Sequence, residues 1–501
     1  MLHGGRLGDV RDDVAAFTSS RKNDLCLSDS VISINKAHVV MLMEQKIIPW
    51  QDGVKLLKAL LTQSASNLDP HAEDVHMALE ESVLAKTGPE IGGNLHVAKS
   101  RNDQVATAIR MRLRQELQII MFEILKMQES LLVTAEKHVD TVILAYTHLQ
   151  PAQPVTFAHY LLSHFDALDR DLQRMRDAYS RVNLCPLGAC ALATTSFPIN
   201  RSRTAELLGF SDVLENSIDA VGSRDFIVET LANLALNAVN LSRLAEDLIV
   251  WSSPDFGTIE LPDEFTSTSS IMPQKKNPEV LEVIRARASY IIGDYVAVIA
   301  ALKSLPSTYN LDFQEMTPKL WAATNNLCAS LNIFTKLIPN LKVSGNVEHK
   351  AAVGFVGATE LANMLVRKYH IAFRTAHKIT GSIVKELVAS KKTLPDTTPQ
   401  LIEKLAYESV GLKLTVKTED IGECSNPRKL VETYQVKGGP SPVIVKNTLA
   451  KKVEALQLLK DEIIKIKETY ENRAKQLNDV VETYSISELS VENDFNKKVR
   501  K

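Results

Sequence analysis

Three segments of this chain carry more polar chemistry than a connector between helices requires: Ser100-Arg101-Asn102-Asp103-Gln104, Thr147-His148-Leu149-Gln150-Pro151-Ala152-Gln153-Pro154, and the run from Ser267 to Pro278, Ser-Thr-Ser-Ser-Ile-Met-Pro-Gln-Lys-Lys-Asn-Pro. Each precedes a stretch with helical periodicity. A helix N-terminus offers unpaired N–H groups and the positive end of a dipole, so three of them converging would make a site for carboxylates. Each segment also has a plainer reading. Ser100 to Asp103 reads equally as an N-cap with polar neighbours, and His148 as a turn histidine satisfying a nearby carbonyl. The third segment is hardest to explain as a connector, because hydroxyls, two lysines and two prolines together suit a mobile loop that carries chemistry.

The elements that must position these segments follow from glycine and proline. Neither occurs from Ser100 to Asp140, Val155 to Asn183 or Ser223 to Ser253, where apolar residues recur at three- and four-residue spacing, as in Ile109, Leu113, Leu117 and Ile120. Two further helices are expected, one opening at Pro278 and one running from Pro318 to just before Pro339. Five long helices imply an all-α central bundle over residues 100–348, and no alternating β-branched run is long enough for a central sheet. Shorter helical patterns broken by Pro49, Pro70 and Gly88–Gly93 suggest a small N-terminal helical domain over 1–99. Renewed punctuation at Pro395, Pro399 and Gly438-Gly439-Pro440 suggests a C-terminal helical domain over 349–501. Its last amphipathic stretch, from Lys451 to about Tyr484, is expected to dock on its own protein.

Composition bounds the function. The 58 Lys+Arg nearly balance 60 Asp+Glu, without long single-sign blocks, which argues against nucleic-acid and membrane-surface partners. Five scattered cysteines with no C-x-x-C pair fit reduced thiols and a cytoplasmic location better than a disulfide framework or zinc site. The charged N-terminus, with Arg6, Asp9, Arg11, Asp12 and Asp13, is unlike a secretory signal, and no apolar run is long enough to span a membrane. Gly88–Gly93 lacks the Gly-Lys-Ser/Thr of a phosphate loop, and the twelve histidines include no H-E-x-x-H; His159 and His164 read as helix surface and core. No metal or cofactor is implied.

Ser269–Pro278 resembles the signature loop of the fumarase/aspartase superfamily, and the other two segments resemble its remaining signature regions. Within that group the pattern is most similar to the argininosuccinate lyases: Ser-Arg-Asn-Asp-Gln-Val at Ser100–Val105, Thr-His-Leu-Gln-Pro-Ala-Gln-Pro at Thr147–Pro154, and Gln-Lys-Lys-Asn-Pro in the loop. The resemblance runs from Gly4-Gly5-Arg6 through Ser223-Arg224-Asp225-Phe226 and Leu305–Gln314 to Gly438-Gly439-Pro440. It implies a three-domain fumarase/aspartase-like fold, a homotetramer whose active sites are each shared by three chains, and elimination of arginine from argininosuccinate to leave fumarate. By the same resemblance Ser269 is the base, Lys275 a charge-stabilising group, and His148 with Glu282 a second pair near the departing nitrogen. Ser20, Asp24, Ser100, Arg101, Asn102, Thr147, Arg224, Ser270, Asn277, Tyr309 and Gln314 are implied substrate contacts; Arg101 and Asp103 read equally as a bracing ion pair, and Asp74 matches a further family position. Sibling readings are an adenylosuccinate lyase and a non-catalytic, crystallin-like structural protein. The chain departs from the family pattern at Thr268, where glycine is usual, at Lys99, where arginine is usual, and after Gln314, where Lys319 is the candidate for a displaced substrate-facing lysine.

Overall fold

The computed structural model describes residues 11–69, 72–344 and 346–486, so Gly4-Gly5-Arg6 lies outside the described residues. The chain is all-α, and the five long helices run over Arg101–Lys137, Phe157–Val182, Asp225–Ser252, Glu279–Leu302 and Met316–Leu337. The starts are chemically marked. Ser100 and Asp103 form a capping box, the Thr156 hydroxyl accepts the His159 N–H, and Glu279 and Glu282 put negative charge in the first turn after Pro278. At about 1.5 Å per residue the first of these helices is about 55 Å long. Long apolar stripes allow lengthwise packing: Asp225–Ser252 lies along Glu279–Leu302, and Arg101–Lys137 along both Phe157–Val182 and Met316–Leu337.

One hydrophobic core unites these helices with the N-terminal helices Ser28–Glu44 and Trp50–Leu61 and with Val445, Leu449, Leu456, Ile463, Leu477 and Val481 of the final helix, Pro442–Ile486. The final helix therefore docks on its own chain, along Arg101–Lys137 and Trp50–Leu61. A second core gathers Leu361 to Cys424. The N-terminal tract Asp12–Glu44 is apolar enough in composition to cross a membrane, but 72% of its most apolar window is buried inside the protein.

Small strand pairs occur where sequence periodicity had suggested none. Val142–Thr147 and Gln150–Thr156 form an antiparallel hairpin whose two-residue turn is His148-Leu149, with φ of 55° and 58°. A two-residue turn with both central residues left-handed is the type I′ geometry, usually built from Asn and Gly. A histidine and a leucine held there carry backbone strain that a structural hairpin has no reason to keep.

The helix Glu279–Leu302 is apolar on two faces. It buries Leu281, Ile284, Ala288, Ile291 and Val298, yet exposes Val283, Tyr290, Ile292, Val296 and Ile299, with Leu236 and Val239 exposed on the neighbouring Asp225–Ser252 helix. A second apolar face on a helix is one that a further packing surface would bury.

Candidate active site

The signature loop is a closed structure. Ser267 and Asn277 exchange two backbone hydrogen bonds, Asn277 N–H to Ser267 O at 2.8 Å and Ser267 N–H to Asn277 O at 3.2 Å, so the loop's ends are pinned together. Inside it, the Ser269 hydroxyl oxygen accepts the backbone N–H groups of Ile271 at 3.3 Å and Met272 at 3.2 Å. Two donors aimed at one hydroxyl oxygen stabilise its deprotonated form, the direction a serine base needs. Ser270 and Lys275 are exposed, and the Lys275 side chain has no partner among the described residues. Lys276 is tied instead to Glu260 and Asp263. Thr268 keeps a φ outside the left-handed region, so the usual glycine is not needed at that position for this backbone.

The Ser100 segment does begin a helix, but its charges pair differently from the ion pair considered between Arg101 and Asp103. Arg101 bonds to Asp74, both largely buried. Asp103 is fully buried and accepts three backbone N–H groups, from Ser100 at 3.0 Å, Gly188 at 2.9 Å and Cys190 at 2.8 Å. Residues two apart on a helix leave on different faces, which separates the two charges. Burial pushes the Asp103 carboxyl up to about 6 in spite of those donors. The Asn102 amide donates to Ala191 O at 3.2 Å. Lys99, where the family usually has arginine, points inward to Asn35, and burial lowers it to about 7.

Several implied contacts meet within one chain. Ser20 donates to Asp24, whose carboxyl is raised to about 6, first by burial and then by the nearby Asp74 charge, against the lowering effect of the Ser20 bond. Gln314 Nε2 donates to Thr18 O at 3.1 Å, which brings the Tyr309–Gln314 turn onto the end of the N-terminal helix Asp12–Thr18, two residues before Ser20. Burial raises Tyr309, and the charges it feels come from Arg224, Asp24, Asp74 and Arg101. Ser20, Asp24, Asp74, Arg101, Tyr309 and Gln314 thus form one acid-rich cluster beside Ser100 and Asn102.

Arg224 lies behind this cluster. It is 1% exposed, donates to Val221 O at 2.9 Å and Ser223 O at 2.6 Å, and stacks 4.3 Å over the Phe313 ring. Its guanidinium faces into the protein, where burial lowers it to about 9, so in one chain it braces the turn that carries Tyr309 instead of opening on solvent. Gly222 completes the brace, since a Cβ there would stand 2.8 Å from Thr308 N, and Thr308 itself is held at φ 77°. Lys319 does not face Gln314; it sits 3.5 Å from Asp294 of the neighbouring helix.

The remaining pair is not assembled within a chain. His148 and Thr147 stand exposed on the hairpin tip and Glu282 stands exposed on its helix, and no hydrogen bond joins His148 to Glu282. The second polar segment is a hairpin tip, not a helix start, because β pairing continues to Thr156 before the helix opens at Phe157. Among the described residues no hydrogen bond or ion pair links the signature loop, the hairpin tip and the Ser100 segment. Sequence reasoning did not find the anchor of Lys276, the cradle around Asp103, or the Arg101 partner; Asp74 lies 27 positions from Arg101 and no local spacing marks it. The left-handed Cys190 and Thr194, at φ 51° and 59°, are likewise visible only in three dimensions.

Comparison with known proteins gives the following. A family model described as lyase matches residues 15–293, and one described as argininosuccinate lyase C-terminal matches 355–432. The argininosuccinate lyase of Methanosarcina barkeri is 42% identical over 97% of this chain and 99% of its own length. That of Methanocaldococcus jannaschii is 43% identical over 88% of this chain and 91% of its own. Among solved structures, EDDS lyase in complex with formate superposes with a TM-score of 0.85 at 29% identity, covering 92% of each chain. A class II fumarase from Schistosoma mansoni, at 17% identity and a TM-score of 0.68 over 81% of this chain and 90% of its own, shares the fold.

Proposed function

This chain belongs to the argininosuccinate lyase family, and from that premise we propose how its site eliminates arginine from argininosuccinate to leave fumarate. Ser269, as the alkoxide, takes the proton from the carbon next to a substrate carboxylate. The electron pair of that C–H bond passes into the carboxylate as a doubly negative aci-carboxylate. Its return forms the C=C bond of fumarate and breaks the C–N bond, and the departing guanidino nitrogen takes a proton. The observation that carries this reading is the Ser269 hydroxyl oxygen accepting two backbone N–H groups on a pinned loop. Removing one preorganised donor from a developing oxyanion costs about 3 kcal/mol. Lys275, Asn277 and the Ser270 hydroxyl are further donors on the same loop, and carboxylates Asp24 and Asp74 suit the cationic end of the substrate.

We assign the delivery of the last proton to His148, with Glu282 orienting its ring, and place their meeting between chains of a homotetramer. The support is the apolar outer face of Glu279–Leu302, together with the strained, exposed His148 turn. Thr147 would then complete the substrate contacts from the same hairpin, and Arg224 would lend positive potential from behind Tyr309. We read the chain as three parts with bounds at 99/100 and 348/349, acting in the cytoplasm in arginine synthesis. The test follows fumarate formation by ultraviolet absorbance, with argininosuccinate and adenylosuccinate in parallel. Turnover of argininosuccinate by the wild type and its abolition in Ser269→Ala is the expected result. A fully active Ser269→Ala variant would remove the base assignment, and turnover of adenylosuccinate alone would replace the substrate.

A further inference from the structure

The two adjacent lysines of the signature loop are used differently. Lys275 is free of side-chain partners among the described residues, while Lys276 Nζ lies 3.1 Å from Glu260 Oε1 and 2.6 Å from Asp263 Oδ1. Glu260 also faces Lys342 Nζ at 3.7 Å, and Ile259–Glu260 pairs with Lys342–Val343, so this ion group belongs to the frame at the end of the bundle. It sits where the loop closes, next to the Ser267–Asn277 backbone pair. Between those points the loop's hydrogen bonds are internal: Thr268 to Met272 O and Pro273 O, Ile271 and Met272 N–H to Ser269, and Lys275 N–H to Met272 O. Among the described residues Lys276 is therefore the loop's side-chain tie to the rest of the protein. Lys275, whose N–H closes the turn onto Met272 O, has no side-chain partner among the described residues, so the ion group at the neck holds Lys276 and leaves Lys275 unpaired.

We propose that Lys276 is a positioning residue for the elimination: by clamping the neck of the loop to Glu260 and Asp263 it sets the direction from which Ser269 and Lys275 are presented to the substrate. The proposal rests on the reading of Ser269 as the base. Exposed ion pairs add little to global stability, so the clamp acts on where the loop points. A misplacement of about 1 Å in a reacting group costs roughly 100-fold in rate, and a rotation of the neck is amplified at the loop's tip.

The experiment uses the purified full-length enzyme. Lys276→Met is expected to lower kcat about tenfold while KM stays within about twofold, because the lost element acts on the transition state and not on ground-state binding; its melting temperature should be unchanged. In an Asp263→Asn background, Lys276→Glu should lose as much or more, and adding Glu260→Lys to it should restore kcat to within about threefold of that background, since the swap rebuilds the pair with its charges exchanged. Wild-type kcat in Lys276→Met, or a swap no faster than Lys276→Glu, overturns the proposal. Wild-type enzyme without fumarate formation would instead remove the lyase reading on which it rests, so the two failures are distinct.

Discussion

Replacing Ile271 with proline deletes one of the two N–H groups that the Ser269 oxygen accepts, and it does so without removing a buried side chain, since Ile271 is 83% exposed. A hydrogen bond to a charged group contributes about 1.5–3 kcal/mol, and each 1.36 kcal/mol is about tenfold in rate, so kcat should fall roughly 10- to 160-fold. The Ile271 bond is 3.3 Å long, beyond the usual N–H···O range of about 2.7–3.2 Å, which favours the lower end. The same free energy makes the hydroxyl a weaker acid by about one to two pH units, so the rise of kcat with pH should shift upward by that amount. Ile271→Ala is the control, because it keeps the N–H and removes the side chain. Proline also restricts Ser270, so substrate binding should be measured alongside kcat. The assay is fumarate release from argininosuccinate across the pH range. Ile271→Pro turning over as fast as Ile271→Ala, or an alanine variant as impaired as the proline one, would refute the argument that backbone donors activate Ser269.

Other perturbations test separate parts of the reasoning. Asp24, raised from 3.8 to about 6 chiefly by burial, is a carboxyl that the folded state prefers protonated. Its contribution is fully present below pH 4 and is lost as pH rises through 6, so Asp24→Asn should gain up to about 2–3 kcal/mol of stability at pH 8 and little at pH 4; urea unfolding giving the same gain at both would contradict the burial account. Val239→Lys combined with Val296→Lys charges the exposed apolar face and should shift light scattering toward smaller species with loss of turnover, whereas an active tetramer would show that this face is not the interface. Gly357→Ala would set a Cβ 1.9 Å from Cys424 O, against backbone that cannot swing aside, and should destabilise the second core by at least about 1–3 kcal/mol; an unchanged melting temperature counts against that packing.

Much of this protein is legible in its residues, and the reasons are local. Three of the five long helices follow from 3.6-residue periodicity in stretches without glycine or proline, and the other two from the positions of Pro278, Pro318 and Pro339, because capping and helix propensity act within a few residues. The chemistry of the signature loop is legible too, since its hydroxyls and lysines are contiguous, and the pattern of three segments identified the family that the comparisons bear out. The hairpin that displays His148 was hidden because its second strand, Gln150–Thr156, is rich in proline and glutamine, and its register is set by pairing with Val142–Thr147 and not by its own periodicity. Which lysine is free and which is clamped could not be read from Lys275-Lys276, as the difference lies with Glu260 and Asp263, some 13 to 16 residues away. Arg101 choosing Asp74 over Asp103, Asp103 filling a cradle of backbone N–H groups, and Arg224 turning inward onto Phe313 are likewise decisions of packing. The sequence by itself determined the helices, the reactive groups and the family; the tertiary structure decided which partner each charge has, because electrostatic and burial terms depend on distances through space that chain spacing does not encode.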